Sequence, residues 1–253
     1  MLRAVLFDLD NTLIHFSERR FFESYVPQVS QAFSDIMSID VFSQKLILAT
    51  QALLKNNGQM SNAECFMNVF CTGYEDHRDE IWKRFITFYK NEYNQFRALV
   101  SVPRAVRRIF LQLKKKGVKL VIASNPIWPL QVQMKRLSWA GLGDLQFDLV
   151  THIENMSYCK PQIQYYQEIC SKIGEIPETC LMVGNDPVND MVVANIGMKT
   201  FLVTEGADFD ESALELSRSI LPDVPTEVPT PDFRGPLSRV PDAVAALLRN
   251  NKV

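Results

Sequence analysis

The sequence predicts an α/β protein in which a mainly parallel sheet is covered on both faces by helices and is interrupted by an inserted helical segment. Three observations carry this. Short apolar, β-prone runs end abruptly in polar residues, the texture of strands buried on both faces. Amphipathic helical patterns lie between the later runs, and strands alternating with helices build a parallel sheet. After the first run, a stretch of about 80 residues keeps helical period alone, a length that suits a small domain.

Taken in order, "AVLF" (4–7) is the first strand, and the same texture recurs in "VKLVIA" (118–123), "FDLV" (147–150), "CLMV" (180–183) and "KTFLV" (199–203). Ala105, Val106, Ile109, Phe110 and Leu113 share one face of a helix that starts after Pro103 and stops at Gly117. Ile163, Tyr166, Cys170 and Ile173 do the same after Pro161, read as a first-turn proline. In the insert, Phe22, Tyr25, Val29, Phe33 and Ile36 keep helical spacing, with Pro27 expected to kink or restart the helix. Phe42, Leu46, Ala49 and Leu53 form a second face, "SNAE" (61–64) reads as a capping box, and Trp82, Phe85, Ile86, Tyr89, Tyr93 and Phe96 form another face. That aromatic row is expected to be core of the insert, some of it lining a pocket. Residues 221–236, rich in proline, read as irregular with a short edge strand near "TPDF", before a closing helix "PDAVAALLRNN". The expected division is therefore a discontinuous core, 1–14 with 99–253, and a helical insert, 15–98.

The chain has 253 residues, 47% of them hydrophobic and 22% charged, which is a globular rather than a disordered composition. Its 27 basic and 29 acidic residues give a net charge of -2, so no global field recruits nucleic acid or an anionic membrane. The "KKK" run at 114–116 falls at a helix carboxyl end, where cations suit the dipole. No apolar run approaches a membrane span, and the amino terminus resembles neither a signal nor a transit peptide, so a cytoplasmic location is expected. Cys65, Cys71, Cys159, Cys170 and Cys180 make an odd set without a CxxC pair, read as reduced, mostly buried thiols. His15, His77 and His152 have no spacing that suggests a metal site or triad.

In an open parallel sheet, ligands bind beyond the carboxyl ends of the strands. There the sequence places Asp8, Asp10, Asn11 and Thr12 after the first strand, Ser124 and Asn125 after the second, and Asn185, Asp186 and Asp190 after the fourth. Lys160 precedes the helix leading to that fourth strand. Clustered carboxylates need a cation among them, and hard oxygen ligands select Mg²⁺, which keeps waters and takes one or two carboxylates plus substrate phosphate oxygens. Lys160 and the Ser124 hydroxyl could hold the remaining phosphate oxygens.

With "FDLDNT", "IASN", "KP" and "VGNDPVND" in this order, the chain resembles the haloacid dehalogenase superfamily, in its phosphatase branch. The resemblance implies a three-layer Rossmann-like parallel sheet with a helical cap inserted after the first motif. It implies a Mg²⁺-dependent phosphatase acting on a small phosphorylated metabolite. Asp8 would be the nucleophile, forming an aspartyl-phosphate. Asp10 would protonate the leaving alkoxide and then activate water, and Thr12 would orient the pair. Mg²⁺ would be held by the Asp8 side chain, the Asp10 carbonyl and Asp186, with Asn185 and Asp190 behind them, the latter on a metal-bound water or on Lys160. If Asn185 instead takes the ligand position, metal affinity should be lower. Ser124, Lys160 and the Asn125 amide, near a helix start, would grip the phosphoryl group, and Ser124 could also cap that helix.

An acid at Asp10 favours phosphate over halide, because halide displacement makes poor use of a proton donor. The same core could serve a phosphomutase, or a phosphonate hydrolase given a cap lysine such as Lys45, Lys55 or Lys83, or a binding protein on a retired hydrolase core. The expected partner is a small-molecule phosphate ester, with neither nucleic acid nor membrane; the oligomeric state is left open.

Overall fold

The protein is described here by a computed structural model over residues 1–205 and 228–249. Its core is a six-stranded sheet built from β1 (Ala4–Phe7), β2 (Lys119–Ile122), β3 (Leu149–Val150), β4 (Cys180–Gly184), β5 (Lys199–Val203) and β6 (Phe233–Gly235). The order is β3-β2-β1-β4-β5-β6 and every pairing is parallel. The chain runs outward from β1 to β2 and β3, then returns to β4 on the other side of β1. Strand order thus reverses between β1 and β4, and a crevice opens there beyond the strand ends.

Alternation along the strands divides the core. Val5, Phe7, Leu120, Ile122, Leu181, Val183, Phe201 and Val203 belong to one apolar cluster, with α5 (Val106–Lys114) and α8 (Val240–Arg249). Ala4, Leu6, Val121, Cys180 and Met182 belong to the other, with α7 (Ile163–Ile173). The edge strand expected near "TPDF" is β6, and Asp232 secures it by accepting from the Thr200 amide at 3.0 Å. Residues 221–227 of the proline-rich stretch, and the last two of the closing helix pattern, lie outside the described residues.

Between β1 and β2 the chain is helical: α1 (Glu18–Gln31), α2 (Ile39–Leu54), α3 (Asn62–Phe70) and α4 (Arg78–Asn91), then a 3₁₀ turn at Tyr93–Leu99. α1 runs through Pro27 without a break. It ends at Gln31, so Phe33 and Ile36 fall beyond it despite their spacing. Amides of Ala32 and Phe33 bond three residues back, to Val29 and Ser30, and tighten the last turn. Phe33 packs instead on Phe85 and Phe42, with ring centroids 4.7 and 5.0 Å apart. The capping box at Ser61–Glu64 is formed in both directions.

Entry and exit of the helical segment run side by side, with the His15 amide 2.8 Å from the Ser101 carbonyl and the return bond at 2.9 Å. A second junction ties α3 to the core, where the Asn62 and Ala63 amides donate to Met156 and Ile153 at 2.8 and 2.9 Å.

Two expectations about helix starts are corrected. Pro161 is not in the first turn of α7: the helix begins at Ile163, and the Lys160–Pro161 bond is cis. The helix after β2, α6 (Leu130–Trp139), begins only after Pro129, so Ser124 does not cap it and the Asn125 amide is five residues from its start. Pro126 and Pro129 disfavour helical backbone at the residues before them and so delay the helix.

Phe110 is fully buried, with its ring 4.6 Å from Phe7 and 5.8 Å from Phe147. Phe110→Ala should lower the unfolding free energy by about 3–5 kcal/mol, read from the urea midpoint at unchanged m-value.

Candidate active site

The site is assembled at the carboxyl ends of β1 and β4, the strands on either side of the order reversal. Asp8 extends the β1 ladder, its amide donating to the Val183 carbonyl at 2.9 Å. Its carboxylate is nearly buried and divided between two donors. Lys160 Nζ lies 2.7 Å from Oδ1, and Thr12 Oγ1 lies 3.0 Å from Oδ2. The Lys160 ammonium also reaches Asp190 Oδ1 at 2.7 Å.

Burial alone would lower the Lys160 pKa, but the charges of Asp190 and Asp8 override it and raise the ammonium well above the ordinary lysine range. Burial pushes Asp190 up, to about 7, against the pull of Lys160. Asp190 can approach so closely because Gly184 ends β4: a β-carbon there would stand 2.0 Å from Asp190 Oδ2.

Asp10 follows on a turn in which Asn11 takes a left-handed conformation, φ 56°. Its carboxylate pairs with Arg136 Nη2 from α6. Burial raises the Asp10 pKa, and the nearby Arg136 charge only partly offsets that. Arg136 is buried, its guanidinium carbon 5.5 Å from the Phe16 ring and 5.9 Å from the Trp128 ring. Its Nε and Nη1 have no hydrogen-bond partner among the described residues.

From β4, Asn185 and Asp186 diverge. Asn185 Oδ1 lies 2.9 Å from Thr12 Oγ1, so it meets the Asp8 cluster. Asp186 turns its carboxylate on its own loop, accepting from the Val188 and Asn189 amides at 2.8 and 2.9 Å and from Asn189 Nδ2 at 2.6 Å. One Thr12 hydroxyl hydrogen thus faces two acceptors, Asp8 Oδ2 and Asn185 Oδ1. This convergence of two hard oxygen donors with spare lone pairs fits a small divalent cation that keeps several waters. Among the described residues, no group of three or more His, Cys, Asp or Glu side chains is disposed to hold a metal.

Ser124 is buried, and its carbonyl accepts from Thr151 Oγ1 and Tyr165 Oη, each at 2.7 Å, while its hydroxyl has no partner among the described residues. The Asn125 side chain accepts from the Lys160 amide at 3.3 Å. Trp82, Phe85 and Tyr89 line an apolar cavity together with Ile127 and Trp128 from the loop after β2. Phe85, Tyr89, Tyr93 and Phe96 of the aromatic row are core, and Trp82, Phe85 and Tyr89 also line this cavity.

Two residues escaped the sequence reading. Glu18, in the first turn of α1, is exposed at the surface; partial desolvation, then the fields of Asp10, Asp186 and Asp8, push its carboxyl up to about 7. Arg136 carried a signal: it stands four residues after Val132 and next to Leu137, on the buried face of α6. The cap lysines lie elsewhere. Lys45 donates to the Thr72 carbonyl and sits over the Tyr74 ring, and Lys55 and Lys83 are exposed.

Over residues 2–195 the chain matches the haloacid dehalogenase-like hydrolase family. A curated relative, the glyceraldehyde 3-phosphate phosphatase of Methanothermobacter thermautotrophicus, is 26% identical over 208 residues, covering 80% of this chain and 86% of the relative. Among solved structures, a predicted phosphoglycolate phosphatase from Haemophilus somnus superposes with a TM-score of 0.54 at 17% identity, covering 96% of this chain and 98% of that one. The L-2-haloacid dehalogenase of Xanthobacter autotrophicus superposes with a TM-score of 0.53 at 19% identity, covering 98% and 100%. Phosphatase and dehalogenase thus share this fold. No helix among the described residues is long and apolar enough to cross a membrane. The matched span includes β1, β4 and every polar group of the crevice, and the chain belongs to the haloacid dehalogenase-like hydrolases.

Proposed function

We propose that this hydrolase cleaves a small phosphate monoester through an aspartyl-phosphate on Asp8. The observation that carries the reading is the state of Asp8: a nearly buried carboxylate held on one oxygen by Lys160 and on the other by Thr12, with a second acid, Asp10, two residues on. The curated relative, named a glyceraldehyde 3-phosphate phosphatase, supports phosphate over halide as the group transferred. So does Asp10, since a departing alkoxide needs a proton and a halide does not.

In the first step an Asp8 oxygen attacks phosphorus, the bond to the leaving oxygen breaks, and Asp10 gives that oxygen its proton. In the second step Asp10, now a carboxylate, takes a proton from water as the water attacks the same phosphorus and frees Asp8. Lys160 neutralises charge on the transferring group and is kept cationic by Asp190. The Ser124 hydroxyl and the Asn125 amide bind the remaining phosphoryl oxygens.

Mg²⁺ would be held by Asp8, the Asp10 carbonyl and Asn185, supplying charge neutralisation and a template for the phosphoryl oxygens. Asn185 takes this place ahead of Asp186, whose oxygens are already satisfied within their own loop. The helical segment 15–98 acts as the cap, excluding bulk water and admitting substrate from the side of the aromatic cavity. A phosphonate hydrolase finds no support in Lys45, Lys55 or Lys83.

With p-nitrophenyl phosphate and Mg²⁺, Asp8→Asn should abolish phosphate release while circular dichroism and melting stay native-like; undiminished turnover would refute the nucleophile. Asn185→Asp adds a ligand charge and should tighten Mg²⁺ binding about tenfold, or ~1.4 kcal/mol, by calorimetry on metal-stripped protein. An unchanged affinity would return the ligand position to Asp186.

A further inference from the structure

Arg136 is expensive to keep where it is. A guanidinium has five N–H donors, yet among the described residues only Nη2 has an acceptor, Asp10 Oδ1, while Nε and Nη1 are buried without a partner. Its side chain is 2% exposed. Buried, incompletely satisfied charges cost stability, and an apolar side chain of similar volume fills such a site equally well or better. The location therefore points to a task that packing does not explain.

The contacts define the task. Arg136 is the one hydrogen-bond partner of the Asp10 carboxylate among the described residues. The two rings that bracket the guanidinium come from different segments: Phe16 from the entry to α1, and Trp128 from the loop after β2. Tyr93, at the exit of the helical segment, stacks on Trp139 at 5.5 Å and closes the same corner. Packed against both rings and anchored on α6, the guanidinium has little freedom, and it passes that constraint to Asp10. The turn fixes the Asp10 backbone, but among the described residues its carboxylate has no second partner, and its side chain is 28% exposed.

We propose that Arg136 is a positioning residue, which holds Asp10 by one carboxylate oxygen so that the other is aimed at the leaving group for proton transfer. The inference rests on the phosphatase reading above. The step it assists is the first one, in which the Asp8–phosphorus bond forms, the bond to the leaving oxygen breaks, and the Asp10 proton moves to that oxygen.

The test uses leaving groups of graded basicity on the full-length enzyme with Mg²⁺. p-Nitrophenolate departs with little need of a proton, whereas p-methoxyphenolate needs one. General-acid assistance contributes on the order of 10²–10⁴ in rate, so a misaimed acid should penalise the basic leaving group selectively. In Arg136→Met, the ratio of kcat/KM for p-nitrophenyl phosphate to kcat/KM for p-methoxyphenyl phosphate, which reports the first step alone, should rise about tenfold or more over native. Arg136→Lys, which keeps a cation but not the planar fork, should fall between.

Because each ratio is measured on one preparation, it does not depend on the fraction folded. Should Arg136→Met fail to accumulate, Arg136→Lys is read by the same ratio. An unchanged ratio, whatever the loss in absolute rate, overturns the positioning role. Failure of the phosphatase reading looks different: native enzyme would then release no phosphate from either ester.

Discussion

Lys160 Nζ stands 2.7 Å from Asp8 and 2.7 Å from Asp190, almost wholly out of solvent, and the rest of the site is arranged around that ammonium. A lone buried cation would lose its proton, and two buried carboxylates would repel one another. Together the three groups form a stable unit. The unit needs three parts of the chain at one point: the end of β1, the segment before α7 and the loop after β4. It also needs Gly184, since any side chain there would displace Asp190. A parallel sheet whose order reverses between β1 and β4 supplies that convergence, and it is why residues 8, 160 and 190 can share a proton-tight contact.

Around this unit acids outnumber bases. Asp10 is balanced by Arg136, and Asp186 spends its oxygens on its own loop amides. The surplus shows in Glu18, whose carboxyl is pushed up to about 7 by partial desolvation and by its acidic neighbours. A divalent cation at the Asp8–Asn185 edge would relieve the same surplus, which is the electrostatic argument for the proposed Mg²⁺. Arg136 and Lys160 play unlike parts. The lysine is satisfied on both sides, and the arginine is bound at a single nitrogen and fixed by rings.

The helical segment is joined to the sheet by more than its two linkers. The paired backbone at His15 and Ser101 makes one junction, and α3 bonded to the 153–158 loop makes the other. Trp128 extends the aromatic cluster of the helices down to the crevice, stacking edgewise on Tyr25 at 5.2 Å and lying over Arg136. Movement of these helices would therefore be felt at the guanidinium that holds Asp10.

Sequence alone determined the alternation of strands and helices, the helical insert, and the acids at strand ends, because burial on both faces and helical period leave a direct mark on residue order. Family and hydrolase chemistry were legible for the same reason: the motifs are local. Tertiary structure decided what depends on side-chain direction and on pairs distant in the chain. Periodicity carried α1 on to Ile36, but bonds tightening the last turn end it at Gln31. Spacing alone could not say which of Asn185 and Asp186 faces Thr12; the turn closed by the Asp186 carboxylate settles their directions. Arg136 was hidden because an arginine on a helix is ordinarily solvated, and only the tertiary placement of α6, beside α4, Phe16 and Trp128, puts it next to Asp10, 126 positions away.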